Sequence, residues 1–140
     1  MTYVIDASIA ASLFLPDEEA ETAKSVIRSV DADDAVLVPT LFWYEMANIL
    51  WGSVRKGRLD EGPAFRALEM LRRLGLKTDD RSIEELVPSI FILSREHNLT
   101  SYDSAYLELA AREGAALCSH DSALRAAALR IGISVLPPAI

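Results

Sequence analysis

A chain of 140 residues, 51% hydrophobic and 25% charged, has enough apolar material for one globular domain over residues 1–140, and no uninterrupted apolar run approaches the roughly 18 residues of a membrane helix. One cysteine, Cys118, excludes an internal disulfide, and two histidines, His97 and His120, are too few for an ordinary zinc site, so any metal is expected to be oxygen-bound. The formal charge of −7 argues against general adhesion to nucleic acid or anionic lipid, and the lack of a leader-like segment points to the cytoplasm.

The first expected element is a buried strand, Tyr3-Val4-Ile5, which delivers Asp6 to its C-terminal tip. The small and aliphatic residues Ala7 to Leu13 then suit a helix that should end at Pro16, and Asp17-Glu18-Glu19 should open a second through Ala23, Val26, Ile27 and Val30. Ala35 to Val38, stopped by Pro39, reads as the second strand. Leu41 to Lys56 reads as a helix closed by Gly57, with Glu45 in its early turns. Asp60 can cap the next helix, which ends at Gly75, and Leu76-Lys77-Thr78 forms a brief edge strand. Ser82-Ile83-Glu84-Glu85 has the form of a capping box, and Pro88 should kink or split the helix behind it. Asp103 begins a helix running to Gly114. Ala115 to Ser119 is a fourth strand, Asp121-Ser122 starts a helix ending before Gly132, and Ile133-Ser134-Val135 closes the sheet. Short apolar strands alternating with helices predict a three-layer α/β domain with a central, mostly parallel sheet of about 4–5 strands flanked by helices.

In such a sheet, ligands bind in the crevice outside the strands' carboxyl ends. Asp6 and Asp121 follow strands directly, and Glu45 and Asp103 lie near helix starts, so all four can reach one sheet edge. Each has an ordinary alternative. Asp6 and Asp121 can cap the following helix, and Asp103 sits in a first turn where an acid suits the helix dipole. For the cap before Asp103, Ser101 competes. Glu45 lies among Phe42, Trp43, Tyr44, Met46, Ala47, Ile49 and Leu50, where a carboxylate needs a partner, and an arginine is the structural choice.

Tyr3-Val4-Ile5-Asp6-Ala7-Ser8 resembles the opening of PIN-domain ribonucleases, especially the VapC-like toxins of prokaryotic toxin–antitoxin pairs. The resemblance continues in Val38-Pro39 with Tyr44-Glu45-Met46-Ala47-Asn48, in Leu99-Thr100-Ser101-Tyr102-Asp103-Ser104-Ala105-Tyr106-Leu107, and in Ser119-His120-Asp121, in the family's order across nearly the whole chain. It implies an acidic site of Asp6, Glu45, Asp103 and Asp121 serving as both metal ligands and catalytic groups, with Asp6 and Asp103 the firmest ligands. Ser8 and Ser119 stand where the family often carries a hydroxyl near the site, and Asn48 would share the helix face of Glu45. The resemblance further implies a PIN-like fold, a homodimer and a cognate antitoxin that covers the site.

The chemistry of such a cluster is concrete. Two carboxylates ~4 Å apart repel by roughly 4 kcal/mol at an effective dielectric of 20, so a hard cation is needed to keep several of them ionised. Mg²⁺, with Mn²⁺ as substitute, suits oxygen ligands and keeps positions for a phosphate oxygen and a water. The expected function is therefore metal-dependent endonucleolytic hydrolysis of RNA by a type II toxin. The alternative is a catalytically inactive PIN-like scaffold acting through a protein partner. An aspartyl-phosphate enzyme is disfavoured because Ser8 stands where a second aspartate would be expected. Two basic intervals, Arg55-Lys56 with Arg58 and Arg72-Arg73 with Lys77 and Arg81, are candidate RNA contacts, although basic residues also favour helix ends. The aromatic run Phe42, Trp43, Tyr44 and Trp51 is expected to serve a homodimer surface, and Cys118 to be a buried strand residue.

Overall fold

The computed structural model describes residues 1–15 and 19–139. Five strands, β1 (Thr2–Ile5), β2 (Ala35–Val38), β3 (Lys77–Thr78), β4 (Ala116–Cys118) and β5 (Val135–Leu136), form one sheet in the order β3-β2-β1-β4-β5, and every neighbouring pair is parallel. Among the described residues seven helices flank it: α1 (Ala7–Ser12), α2 (Ala20–Arg28), α3 (Thr40–Arg55), α4 (Glu61–Arg73), α5 (Ile83–His97), α6 (Ser101–Glu113) and α7 (Ser122–Arg130). Parallel strands need crossovers, and helices supply them here.

The apolar opening residues take the central position because that strand is covered on both faces. Val4 and Ile5 are fully buried, and each such side chain removed from water contributes about 1.5–3 kcal/mol before entropic losses. Val4 stands opposite Leu37 on one side and Leu117 on the other, and Ile5 opposite Cys118. Cys118 is buried as a strand residue, and burial pushes its thiol up to about 12, so it carries no thiolate at neutral pH. Phe42 and Met46 from α3, Leu107 and Leu109 from α6, and Leu124 from α7 complete the main core. A smaller apolar cluster of Leu50, Ala64 and Ala67 joins α3 to α4.

Several local expectations change. α1 stops at Ser12, while Pro16, Asp17 and Glu18, which carried the expected stop and restart, lie outside the described residues. The last strand is Val135–Leu136, because the Ile133 amide bonds back to Ala128 across the positive-φ Gly132 and so finishes the helix end instead. Neither Asp60 nor Ser82 makes a side-chain cap bond, so the capping box does not form. Pro88 does not split α5, and the carbonyl it deprives of a donor belongs to the exposed Glu84. Thr100, rather than Ser101, caps α6 by accepting the Asp103 amide at 3.1 Å. Phe42 and Trp43 face inward, Phe42 fully buried and the Trp43 indole donating to Thr78 at 2.8 Å, which leaves Tyr44 and Trp51 as the exposed aromatics of α3.

Candidate active site

The chain leaves β1 toward β2 on one side and returns later as β4 on the other, so the crevice between the carboxyl ends of β1 and β4 is the switch point of the sheet. The Asp6 amide extends the ladder by donating to Cys118 O at 3.0 Å, which sets Asp6 and Ser119 side by side at that crevice. Asp6 is 6% exposed and its carboxylate is heavily engaged. Oδ1 accepts the Ser8 hydroxyl at 2.6 Å and the Ile9 amide at 3.2 Å, and Oδ2 accepts the Ser119 hydroxyl. Asp6 is thus a helix cap, as the ordinary alternative held, and the centre of a polar network as well.

The two serines are themselves held. Ser8 Oγ accepts the His120 amide at 3.0 Å, and Ser119 Oγ accepts the Asp121 amide at 2.9 Å, so each hydroxyl has its single proton aimed at Asp6. Asp121 also caps α7 through Leu124 at 2.8 Å, and its side chain is exposed. The His120 ring packs nearby with Nδ1 at 3.4 Å from Glu19, and its buried Nε2 has no hydrogen-bond partner among the described residues.

Glu45 and Asp103 arrive from α3 and α6. Glu45 Oε1 accepts the phenol of Tyr106 at 2.5 Å, so its partner is a tyrosine and not the arginine expected as the structural choice. Tyr106 is buried, and burial together with Glu45 drives its pKa far above the ordinary phenol range, fixing it as a donor. Tyr106 stands three residues after Asp103 and so shares its helix face. That spacing was the sequence signal for this second carboxylate partner. Asn48 is exposed, and among the described residues no hydrogen bond joins it to the acids.

The acids feel one another. Burial raises the pKa of Asp6 above the usual carboxylate range, outweighing the Ser119, Ser8 and Ile9 bonds and the favourable field of His120. Burial also raises Glu45, and the charges of Asp6 and Asp103 add to it against the Tyr106 bond. Asp103 is raised by burial and then by Asp121 and Asp6. Four carboxylates from four separate stretches therefore share one field, and among the described residues no ion pair reaches any of them.

That donor set fits a hydrated hard cation. Among the described residues no group of three or more His, Cys, Asp or Glu side chains is placed to hold a metal ion by itself. Magnesium does not need one, since one or two carboxylates plus waters suffice. Three of the roughly four lone-pair positions on Asp6 are occupied, which leaves one on Oδ2 for a ligand bond. Removing the hydroxyl in Tyr106→Phe should leave the half-buried Glu45 carboxylate without its donor and raise its pKa further with little loss of fold. Titration of the Glu45 carboxyl followed by NMR in wild type and variant, with the higher midpoint in the variant, would check this.

The fold and the sequence have counterparts among known proteins. A family model described as PIN domain matches residues 3–129. Ribonuclease VapC3 of Pyrobaculum aerophilum is 36% identical over 124 residues, covering 89% of this chain and 92% of that protein. The crystal structure of PAE2754 from the same organism superposes with a TM-score of 0.71 at 26% identity, covering 98% of this chain and 90% of the other. A toxin–antitoxin complex from Klebsiella pneumoniae, at 17% identity and a TM-score of 0.64 over 89% and 90% of the two chains, shares the fold. A parallel sheet with an aspartate at its switch point, a match spanning most of the sequence and a homologous VapC ribonuclease lead to one conclusion: this chain belongs to the PIN-domain family.

Proposed function

We propose that this protein is a metal-dependent endoribonuclease that hydrolyses RNA phosphodiester bonds and acts as the toxin of a type II toxin–antitoxin pair in the cytoplasm. The observation that carries the reading is the shared field of Asp6, Glu45, Asp103 and Asp121 at the switch point, in a homologue of a protein named a ribonuclease. Asp6 and Asp103 would hold Mg²⁺ or Mn²⁺, and Glu45 or Asp121 would orient the attacking water or a second ion. When bound, the ion supplies charge neutralisation and a more acidic water. The chain's own part is to fix Asp6 through Ser8 and Ser119, to hold Glu45 through Tyr106, and to present Asn48 on the helix of Glu45. RNA cleavage assayed with Mg²⁺ and with EDTA, alongside Asp6→Asn, tests the reading. Absence of metal-dependent cleavage would leave the inactive scaffold instead.

Partners follow from the surface. The Klebsiella pneumoniae relative is described as a toxin–antitoxin complex, and a basic side chain of a cognate antitoxin would be attracted to the four acids here. A groove of about 600 Å³ beside the site is lined by Tyr44, Ile83, Val87, Phe91 and Tyr102, all of them exposed. An apolar patch of this kind supports pairing of two copies, each covering the other's groove. Phe91→Asp is expected to shift the protein from a dimer to the 15.4 kDa monomer in light scattering with its circular dichroism unchanged. A dimer that survives this change would place the interface elsewhere.

A further inference from the structure

We infer that Arg125 is a positioning residue for the acidic site, acting through Ser119, an inference that rests on the metal-dependent reading above. Arg125 lies one turn into α7, where its amide donates to Asp121 O at 3.0 Å. Its guanidinium turns back. Nη1 donates to the Ser119 carbonyl at 3.0 Å and Nη2 to the Pro137 carbonyl at 2.6 Å, so one planar fork ties the end of β4 to the segment after β5.

Ser119 is fully buried, and every polar group it has is committed. Its amide donates to Leu136 O at 3.1 Å, its hydroxyl donates to Asp6 Oδ2 and accepts from the Asp121 amide, and its carbonyl takes Arg125. The hydroxyl is therefore the joint between two of the four acids, and it can point at Asp6 only while the backbone of residues 119–121 keeps its orientation. Arg125 fixes that orientation through the Ser119 carbonyl. Its guanidinium makes no hydrogen bond or ion pair with the carboxylates of Asp6, Glu45, Asp103 or Asp121 among the described residues, so the influence of the side chain passes through the Ser119 peptide. Removing the fork leaves the buried Ser119 carbonyl without its donor and frees the turn to rotate, which draws the hydroxyl off Asp6 Oδ2 and displaces Asp121.

A group acting on the ligand geometry of a metal site in this way changes metal affinity and turnover by about tenfold to a hundredfold. A mere staple of the C-terminal segment would change only the melting temperature. The experiment uses the whole chain without RNA, titrated with Mn²⁺ by calorimetry, followed by steady-state cleavage of an RNA substrate. Three variants are compared with the wild type: Arg125→Ala, Arg125→Lys, and Ala128→Gly, a buried α7 position away from the acids that lowers stability by the ordinary helix and packing route. Arg125→Ala should bind Mn²⁺ about ten times more weakly and lose about tenfold to a hundredfold in kcat with KM for RNA nearly unchanged. Arg125→Lys, which keeps a donor for one carbonyl, should recover part of both. Ala128→Gly should lose melting temperature with both constants intact. If Arg125→Ala does not fold, Arg125→Lys against Ala128→Gly makes the same comparison. Equal Mn²⁺ affinity in wild type and the arginine variants, or equal losses in them and in Ala128→Gly, would overturn the inference alone. A wild type that neither binds Mn²⁺ nor cleaves RNA would overturn the functional reading and this inference with it.

Discussion

Asp6→Asn is expected to reduce RNA cleavage by about a thousandfold or more without lowering the melting temperature of the metal-free protein. The asparagine fits the site. Its Oδ1 can accept from Ser8 and Ile9 as Asp6 Oδ1 does, and its Nδ2 meets the Ser119 hydroxyl, which has a second lone pair beside the one that accepts from Asp121. What disappears is the charge, the free lone pair on Oδ2 and the acceptor of the Ser119 proton. Burial has raised the folded pKa of Asp6, so its favourable contribution is complete below the ordinary aspartate pKa and is lost as pH rises through the folded value. At neutral pH the ionised group is therefore a net burden on the metal-free fold, and the amide removes it. Glu45 and Asp103 shift in the same direction, so the metal-free wild type should gain stability on mild acidification, and the variant should gain less. Mg²⁺ should raise the wild-type melting temperature at pH 7 and leave the variant unmoved, since only binding to the folded state is stabilising. Thermal melts at pH 7 and pH 5, with Mg²⁺ and with EDTA, read all of this. Retained cleavage, or an equal Mg²⁺ shift in both proteins, would refute the assignment of Asp6.

The strands and the positions of the acids were legible in the sequence because they depend on local pattern. Tyr3-Val4-Ile5 running into Asp6 states a buried strand with an acid at its tip, β2 follows from the apolar run Ala35 to Val38 before Pro39, and the brief β3 from Leu76-Lys77-Thr78 after the helix end at Gly75. The polar partners were less legible. The bond from Tyr106 to Glu45 spans 61 positions, and nothing local distinguishes that tyrosine from a core residue except its spacing from Asp103. Arg125 is hidden for a similar reason, because it bonds to backbone carbonyls, which have no sequence signature. Cap chemistry misled in the other direction. Ser82 and Asp60 have the right side chains, yet neither bonds to its helix, whereas Thr100 does. A cap motif records what a side chain can do locally, and the path of the incoming chain decides whether it does so. The aromatic run of α3 shows the same limit. Its sequence contains the apolar surface but not its division, in which Phe42 and Trp43 serve the core and Tyr44 the groove.

Arg112→Met should destabilise the protein by about 3 kcal/mol, a fall of about 10 °C in melting temperature, with little change in cleavage at low temperature. Arg112, on α6, is the hub of a mostly buried carboxylate pair. Nη2 meets Asp79 Oδ2 at 2.5 Å and Glu108 Oε1 at 3.0 Å, Nη1 meets Asp79 Oδ1 at 3.2 Å, and Nε meets Glu108 Oε2 at 3.0 Å. The side chains of Arg112 and Asp79 are 17% and 10% exposed, so solvent screens the contact only in part. Asp79 follows β3 and donates its amide to Val38 O at 2.8 Å, so the guanidinium fastens the edge of the sheet to α6. Methionine preserves most of the volume and leaves two carboxylates facing each other without their cation, and that repulsion is the larger part of the loss. The pH dependence has the opposite sign to that of the acidic site. Burial raises Asp79 and is the largest single influence, but the Arg112 bonds, the Arg81 amide and the charges of both arginines together outweigh it and hold the carboxyl below its ordinary value. Its contribution is therefore present in full above the unfolded pKa of about 3.9 and is lost as pH falls through the lower folded value. The gap in unfolding free energy between wild type and variant should be widest near neutrality and close in strong acid, as read by urea denaturation across that range. A gap under about 1 kcal/mol at pH 7, or one that widens on acidification, would show that the edge strand is held by its apolar contacts and that Arg112 is a spectator.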